Sequence, residues 1–267
     1  MITLKTRKEL LAMREAGRIS AQALLEAGKH IRPGMTTKEL DRILYQFIRS
    51  KGAVPSFLGY GGFPGTACIS INNEVIHGIP GSRKIREGDI VSVDVGALYN
   101  GFHGDNAYTF AVGKISPEAQ KLLDVTRESL KRGIAAAQPG ARLGDIGYAV
   151  QSYVEANGFA VVRKYVGHGV GRDMHEAPEV PNFGKAGRGV RLAPGMTIAI
   201  EPMINVKGAD VRVLGDKWTV VTSSGSLSAH FENTIAITER GPVILTDPSE
   251  AEEIQPVPPL QKQEERI

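Results

Sequence analysis

Residues 90–110 read IVSVDVGALYNGFHGDNAYTF, and they decide the fold because they predict one long β-hairpin. Strand-forming residues such as Val and Ile dominate its first arm, and Asn100-Gly101 is the strongest short signal for a two-residue turn. Side chains two positions apart share a face of a strand. Asp94 and Asp105 are therefore predicted on one face of the hairpin, with Cβ atoms about 7–8 Å apart on the diagonal.

The same turn sets the register of the hairpin, since it pairs residue 94 with residue 107 and residue 96 with residue 105. Gly104 suggests a β-bulge that brings the two carboxylates closer together. A carboxylate in such an apolar strand costs several kcal/mol unless something compensates it, and a metal ion does so best. The alternative for Asp105, an aspartate that caps a turn, stays open from the hairpin alone.

Composition limits the class of protein. The 267 residues suffice for one large domain or two small ones, and their hydrophobic and charged contents are ordinary for a globular protein. The single cysteine, Cys68, excludes an internal disulfide and any multi-cysteine zinc site. No long apolar segment suggests export or membrane insertion. We therefore expect a cytoplasmic protein that does not act in a membrane.

The net charge of +3 is divided unevenly along the chain. Residues 248–267 are rich in Pro, Glu and Gln, carry a net charge of −3 and lack periodicity, so a disordered tail is expected there. Residues 1–247 therefore carry +6, but they contain no basic run. We interpret this as a solvated surface without specific nucleic-acid binding. Transient contact with an acidic surface such as ribosomal RNA is the alternative.

Capping signals predict where the helices begin. Boxes of the form Thr-x-x-Glu start at Thr6 and at Thr36, each ahead of apolar residues at helical spacing. Ser116-Pro117 supplies an N-cap and a proline at the first helical position, ahead of a helix that runs through Ala137. The last strand is predicted at residues 230–238, which read HFENTIAIT.

Two parts of the chain repeat one pattern. RPGMTTKELDRILYQFIRSKG (32–52) matches QPGARLGDIGYAVQSYVEANG (138–158) at an offset of 106, and EGDIVSVD (87–94) matches PGMTIAIE (194–201) at an offset of 107. Each part contains a helix, a Pro-Gly turn, a second helix and a strand that ends in a carboxylate. Two similar halves, about 30–113 and 136–238, are predicted to pack as one domain of residues 1–247 with the site at their junction.

Five polar residues interrupt apolar strands or stand in glycine-lined loops: Asp94, Asp105, His168, Glu201 and Glu232. Four carboxylates and one imidazole cannot lie together without cations, because like charges at close range raise one another's pKa. Two divalent metal ions would compensate them, and Asp105 and Glu232 could bridge the two ions. Oxygen-rich ligation with one nitrogen suits Mn, Fe or Co, and Zn is a further candidate. A metal pair predicts hydrolysis, because it polarises a carbonyl and activates water.

The segments around these residues are SINNEVIHGIP (70–80), DIVSVDVGALYNGFHGDNAYTF (89–110), GHGVGRDMHEAPEVP (167–181), IAIEPM (198–203) and FENTIAIT (231–238). Together they resemble the type I methionine aminopeptidases, which are pita-bread metallopeptidases, from about residue 4 to residue 246. The resemblance implies an α+β fold in which two pseudo-symmetric α/β halves surround a central antiparallel sheet. It also implies that the five residues above are the metal ligands.

The resemblance assigns further roles through these motifs. His77 would bond the substrate peptide and its reacting amide, His175 would stabilise the oxyanion, and Glu201 would carry a proton to the leaving amine. The substrate would contact Tyr60, Phe63, Cys68, His77, His175 and Trp218. From the residues alone, either histidine could equally be structural, Cys68 could be a small buried hydrophobe and Trp218 could be ordinary packing.

Two positions depart from the usual pattern of this family. Gly61 stands in the pocket loop where many relatives have a histidine, and Met174 precedes His175 where an aromatic residue is frequent. Both are expected near the substrate, so they are expected to affect affinity or inhibitor selectivity. Neither is an expected metal ligand, so activity itself is not in doubt.

The resemblance implies a monomeric enzyme that uses two divalent ions (Co, Mn, Fe or Zn) to remove the initiator methionine from nascent polypeptides with a small second residue. Two alternatives stay open. An X-Pro aminopeptidase or dipeptidase of the same fold usually has a large additional N-terminal domain, whereas 93 residues precede Asp94 here. A non-catalytic binding protein of this fold typically lacks metal ligands, and all five are present.

Overall fold

The computed structural model describes residues 1–249, so the tail expected at 248–267 lies outside the described residues from position 250 onward. The helices are α1 Arg7–His30, α2 Thr37–Ser50, α3 Pro117–Ala136 and α4 Leu143–Ala156. The strands are β1 Val54–Pro55, β2 Ala67–Ile71, β3 Glu74–Ile76, β4 Ile90–Tyr99, β5 Phe102–Ala111, β6 Ala160–Val161, β7 Gly167–Gly169, β8 Glu176–Val180, β9 Thr197–Ile200, β10 Met203–Asn205, β11 Val211–Val213, β12 Val220–Thr222, β13 Ser228–His230, β14 Glu232–Thr238 and β15 Gly241–Ile244.

Three helices begin where the capping signals predict. The backbone N–H of Glu9 donates to the Thr6 hydroxyl at 3.4 Å, and the Glu9 carboxylate accepts the Thr6 N–H at 2.9 Å. The box that starts at Thr36 closes in the same way at the beginning of α2. The Ser116 hydroxyl caps α3. These predictions are confirmed, because each side chain satisfies backbone groups that the helix itself leaves unpaired.

One nine-stranded sheet joins the two halves of the chain. Its strands lie in the order β1-β4-β5-β14-β9-β7-β8, while β2 pairs with β4 and β15 pairs with β14. The strand pairs in this sheet are antiparallel. The first half supplies β4 and β5, and the second supplies β14, β9, β7 and β8. The predicted α+β arrangement around a central antiparallel sheet is confirmed.

The β4–β5 hairpin has the predicted register. Asp94 pairs with Ala107 and Gly96 pairs with Asp105. The turn residues Asn100-Gly101 have φ values of 50° and 77°, the left-handed values that a type I′ turn requires. The side chains that flank Asp94 in the strand are buried in the core of the first half. Asp94 therefore points to the opposite face of the sheet.

The prediction of a β-bulge at Gly104 is wrong. The β4–β5 ladder runs without interruption, and Gly104 pairs with Ala97. The glycine instead permits a close crossing, because a Cβ at position 104 would lie 2.4 Å from the Cα of Gly17 in α1. Helix α1 thus contacts the backbone of the hairpin immediately beside Asp105.

The two halves correspond in their helices. α2 and α4 each contain 14 residues and begin 106 positions apart. Leu40 and Leu44 of α2 lie in one hydrophobic cluster with the β4 side chains, and Ile146 and Val150 of α4 lie in another with the β9 side chain Ile198. Each helical layer therefore covers its own half of the sheet and leaves the opposite face for the site.

Residues 230–238 were predicted to form one strand, but they are divided between two strands. Phe231 separates β13, which pairs with β10, from β14, which lies in the central sheet. A further strand, β15, was not predicted, since it is short and contains Pro242. Within the described part of the chain, no helix is both long and apolar enough to cross a membrane.

We predict that Gly104→Ala destabilises the protein by about 2 kcal/mol or more, because the added methyl group would overlap the backbone of α1. Urea denaturation measures this change. Gly215→Ala is the matched control, since a Cβ at Gly215 would meet no atom within 4 Å. Equal denaturation midpoints for the two variants would contradict the close crossing.

Candidate metal centre

Five neighbouring strands of the central sheet supply the five predicted ligands. Asp94 lies on β4, Asp105 on β5, Glu232 at the start of β14, Glu201 directly after β9, and His168 on β7. These strands are consecutive in the sheet. Residues separated by more than one hundred positions in sequence are therefore brought together by strand pairing.

The register also leaves space between the carboxylates. Ala107 pairs with Asp94 on one side and with Glu232 on the other. Directly paired residues of antiparallel strands share a face of the sheet, so these three side chains project together. The small side chain of Ala107 separates two acidic ones. Asp94 and Glu232 are therefore two strands apart on one face of the sheet, with only a methyl group between them.

Distances within the cluster suit a metal ion. One ligand atom from each of Asp105, His168 and Glu232 lies within 4.8 Å of the other two. The Nε2 atom of His168 is 3.6 Å from Asp105 Oδ2 and 3.6 Å from Glu201 Oε1. Asp105 lies close enough to Asp94 to raise the pKa of the Asp94 carboxyl, in addition to the effect of burial. Asp94 and Glu201 thus adjoin the close group of three and could complete the set of ligands.

His168 is oriented for metal binding by the backbone. Its Nδ1 atom lies 2.8 Å from the carbonyl oxygen of Gly169, which can only accept a hydrogen bond. Nδ1 therefore carries the proton, and Nε2 keeps its lone pair toward the carboxylates. Burial lowers the pKa of His168 to about 3, so the ring is neutral at physiological pH.

The carboxylates are held in an environment that disfavours their charge. Burial and the neighbouring carboxylates raise the pKa values of Asp94, Glu201 and Glu232 well above the ordinary carboxyl range. Burial also raises the pKa of Asp105 to about 7. The buried atoms Asp94 Oδ1, Asp105 Oδ1 and Glu232 Oε1 have no hydrogen-bond partner among the described residues. Such acceptors are satisfied by cations, so the residues fit a divalent metal site.

Sequence reasoning did not assign the residues that support these ligands. The Thr234 hydroxyl accepts the N–H of Asp105 at 3.2 Å and donates to its carbonyl at 2.9 Å. The Asn182 side chain donates to the Glu201 carbonyl at 3.0 Å, and His230 Nε2 lies 3.5 Å from Glu201 Oε2. Only Thr234 had a local signal, because it shares a strand face with Glu232.

A cavity of about 200 Å³ opens beside the carboxylates. Its walls contain all eleven residues that were predicted for the site: Tyr60, Phe63, Cys68, His77, Asp94, Asp105, His168, His175, Glu201, Trp218 and Glu232. Gly61 also lines it, and so does Phe57, which had no recognisable signal in the sequence. Met174 is buried against Phe57, Phe63 and Cys68, so it packs within the wall of the cavity.

Two further histidines border this cavity. His77 has a left-handed φ of 59° and lies edge-on to Trp218, with ring centroids 6.3 Å apart. The ring of His175 lies 4.0 Å from that of His168, and its Nδ1 atom is 2.9 Å from the hydroxyl oxygen of Tyr60. Burial lowers the pKa of His77 to about 4 and also lowers the pKa of His175. Both rings are therefore neutral at pH 7, and each can donate one hydrogen bond and accept another.

Comparison with known proteins identifies the family. Residues 11–239 match metallopeptidase family M24. The chain is 56% identical to methionine aminopeptidase 1 of Bacillus subtilis over 246 residues, which cover 92% of this chain and 99% of that protein. The chain belongs to the methionine aminopeptidases of metallopeptidase family M24.

Solved structures separate this branch of M24 from its neighbours. The methionine aminopeptidase of Thermotoga maritima superposes with a TM-score of 0.91 at 48% identity, covering 92% of this chain and 100% of that one. A prolidase from Pyrococcus furiosus has a TM-score of 0.75 at 25% identity, covering 93% of this chain but only 66% of the prolidase. The pita-bread fold is therefore shared by both groups, while sequence identity and structural similarity are higher for the methionine aminopeptidase.

We predict that the metal-free protein loses stability as the pH rises from 6.5 to 8.5. The folded-state pKa of Asp105 is about 7, above its ordinary value, and those of Asp94, Glu201 and Glu232 are also raised. The folded state then binds more protons than the unfolded state, so raising the pH favours unfolding. Histidines with lowered pKa values act in the opposite direction, but only below about pH 6.5, the ordinary pKa of the group.

Urea denaturation of metal-stripped protein at pH 6.5 and pH 8.5 measures this effect. Saturating Mn²⁺ is expected to remove the loss, because a cation favours the ionised carboxylates. Asp105→Asn should reduce both the pH dependence and the stabilisation by Mn²⁺, whereas Asp124→Asn on the exposed surface of α3 should change neither. A midpoint that rises with pH in the metal-free protein would exclude the proposed charge cluster.

Proposed function

We propose that this chain removes the N-terminal methionine from nascent polypeptides whose second residue is small. The observation that carries the proposal is a cluster of four carboxylates and one histidine beside a small, mainly apolar cavity of about 200 Å³. Pockets for drug-sized molecules have volumes of about 300–1,000 Å³, so this cavity suits a single side chain. A metal centre next to such a cavity supports hydrolysis of the first peptide bond of a chain.

We propose two divalent ions in this site. Four ionised carboxylates carry four negative charges, which two divalent cations would balance. Asp105 on β5 and Glu232 on β14 each lie between strands that carry other proposed ligands, so both would help to hold the two ions. When bound, such ions polarise a carbonyl and make water acidic enough to attack it near neutral pH. The oxygen-rich donor set supports Mn, Fe or Co, with Zn as the remaining candidate.

The roles proposed for the protein groups follow from their positions. Glu201 lines the cavity beside the other proposed ligands, so it would accept a proton from the attacking water and deliver it to the leaving amine. If the Tyr60 hydroxyl donates to His175 Nδ1, the Nε2–H of His175 is left as a donor toward the developing oxyanion. His77, also neutral, can bond the reacting amide.

The apolar part of the cavity suits a thioether. Phe57, Phe63 and Trp218 contribute aromatic rings, and the rings of Phe63 and Trp218 meet edge-on at 5.2 Å. Sulfur–aromatic contacts are favourable, and the flexible methionine side chain adapts to irregular walls. Burial raises the pKa of Cys68, so its thiol stays protonated and contributes only wall surface.

We further propose that residues 1–247 act as one catalytic domain, as a monomer in the cytoplasm, with at most transient contact with the ribosome. The central sheet contains strands from both halves, which supports a single unit. The one cysteine is buried and unpaired, which suits a reducing compartment. The substrates would be the N-termini of new polypeptides.

Peptide hydrolysis tests the proposed activity. Metal-stripped protein refilled with Mn²⁺, Fe²⁺, Co²⁺ or Zn²⁺ is expected to release methionine from Met-Gly-Met-Met but not from Met-Leu-Met-Met, and to leave an Ala-Pro peptide intact. Cleavage of the Ala-Pro peptide would instead identify an X-Pro peptidase. Folded, metal-loaded protein that cleaves none of these peptides would indicate a binding protein.

Two substitutions test the proposed roles. We predict that Glu201→Gln and His175→Ala each lower kcat on Met-Gly-Met-Met by about 100-fold or more. Glu201→Gln should also weaken Mn²⁺ binding in calorimetry, whereas His175→Ala should retain it, because His175 is not a proposed ligand. Near-normal kcat in either variant would remove that residue from the mechanism.

A further inference from the structure

An ion pair lies directly behind the loop that carries His175. The Lys5 ammonium group pairs with the carboxylate of Glu176, the residue that follows His175. The Lys5 side chain is only 4% exposed and that of Glu176 is 14% exposed. A buried charge is retained at little cost only when it is paired, so these two side chains depend on each other.

The second oxygen of Glu176 shapes the loop. Glu176 Oε1 accepts the backbone N–H of Arg172 at 2.9 Å and faces that of Asp173 at 3.4 Å. A Cβ at Gly171 would lie 2.1 Å from the same oxygen, so the carboxylate rests directly on the backbone of that glycine. The carboxylate thus organises residues 171–176 from within the turn.

Lys5 is itself fixed to the sheet. Its backbone N–H donates to the Gly195 carbonyl at 2.7 Å. Gly195 lies two residues before β9, and β9 leads to Glu201. The Lys5 ammonium group also donates to the carbonyl of Thr3 at 3.3 Å. Thr6, the next residue, caps α1. The segment before α1 therefore connects α1 and β9 to the loop that carries His175.

We propose that Lys5 and Glu176 form a positioning pair that holds the imidazole of His175 at the site of the reaction. The proposal rests on the aminopeptidase function proposed above. Neither side chain lines the cavity, so neither would touch the substrate; they would act through His175. On the other side of the loop, the backbone N–H of His103 donates a hydrogen bond to the Gly171 carbonyl at 2.9 Å. The ring of His175 is held by its hydrogen bond with the Tyr60 hydroxyl.

The expected kinetic effect is specific. A hydrogen bond to the oxyanion is made in the transition state, so its misplacement lowers kcat and leaves KM nearly unchanged. Lys5→Met keeps the apolar stem and removes the charge. We expect this variant to lower kcat on Met-Gly-Met-Met by about tenfold to a hundredfold, the scale of a displacement of about 1 Å. Binding of Mn²⁺, measured by calorimetry, should change less than about twofold, since the ligands lie elsewhere.

Matched variants separate positioning from general structure. Lys8→Met removes an exposed charge from the first turn of α1 and should leave kcat unchanged. Lys5→Arg retains a cation and should recover part of the loss. Glu176→Gln keeps the acceptor for the loop N–H groups but weakens the tie to Lys5, so it should also lower kcat. It tests the pair even if Lys5→Met fails to fold, as judged by its melting temperature.

A double-mutant cycle with His175→Ala tests whether Lys5 acts through His175. If Lys5 acts through His175, adding Lys5→Met to His175→Ala should lower kcat by less than about twofold further. A full additional loss in the double variant would overturn the proposal, and so would normal kcat in folded Lys5→Met and Glu176→Gln. Normal kcat in His175→Ala would remove His175 from the mechanism and overturn the positioning proposal with it. An inactive wild-type protein would instead overturn the proposed function, so the two failures are distinguishable.

Discussion

The mutual repulsion of four buried carboxylates is the constraint on which the rest of the structure depends. They project from adjacent strands of one sheet, where one oxygen atom each of Asp94, Asp105 and Glu232 has no hydrogen-bond partner among the described residues. Such an arrangement is unfavourable in isolation, because burial and like charge both oppose ionisation. It persists because the surrounding core is extensive and because bound cations would reverse the sign of the interaction. Paired strands and the hydrogen bonds between Thr234 and Asp105 hold the acids at distances that an ion can use.

Local chemistry explains why so much of this fold could be predicted from sequence. The Asn100-Gly101 turn determines the register of the hairpin, and that register alone places Asp94 and Asp105 on one face. The capping boxes and the internal repeat act over a few residues or at one constant offset, so they are readable without a structure. Glu232 and Glu201 were recognisable because a charged side chain is costly in an apolar strand.

Other features had no such signal. The glycine at position 104 was wrongly interpreted as a bulge. Its small size is required by contact with Gly17, which is remote in sequence. Phe57 and Asn182 join the site through tertiary contacts, and nothing in their neighbours distinguishes them from ordinary core residues. The Lys5–Glu176 pair joins residues that are 171 positions apart. Contacts of this kind depend on how the halves pack, which hydrophobic periodicity does not specify.

The pairing of β5 with β14 has a consequence for the order of events during synthesis. Asp94 and Asp105 lie in the first half, while the other three proposed ligands lie at position 168 and beyond. Closing a loop of this length is slow compared with forming a hairpin or a helix. A partly synthesised chain thus has two acids on an open hairpin and no complete site. On the proposed ligand set, metal binding would follow the pairing of β14 with β5, so a growing chain would have no activity until almost all of its core had been made.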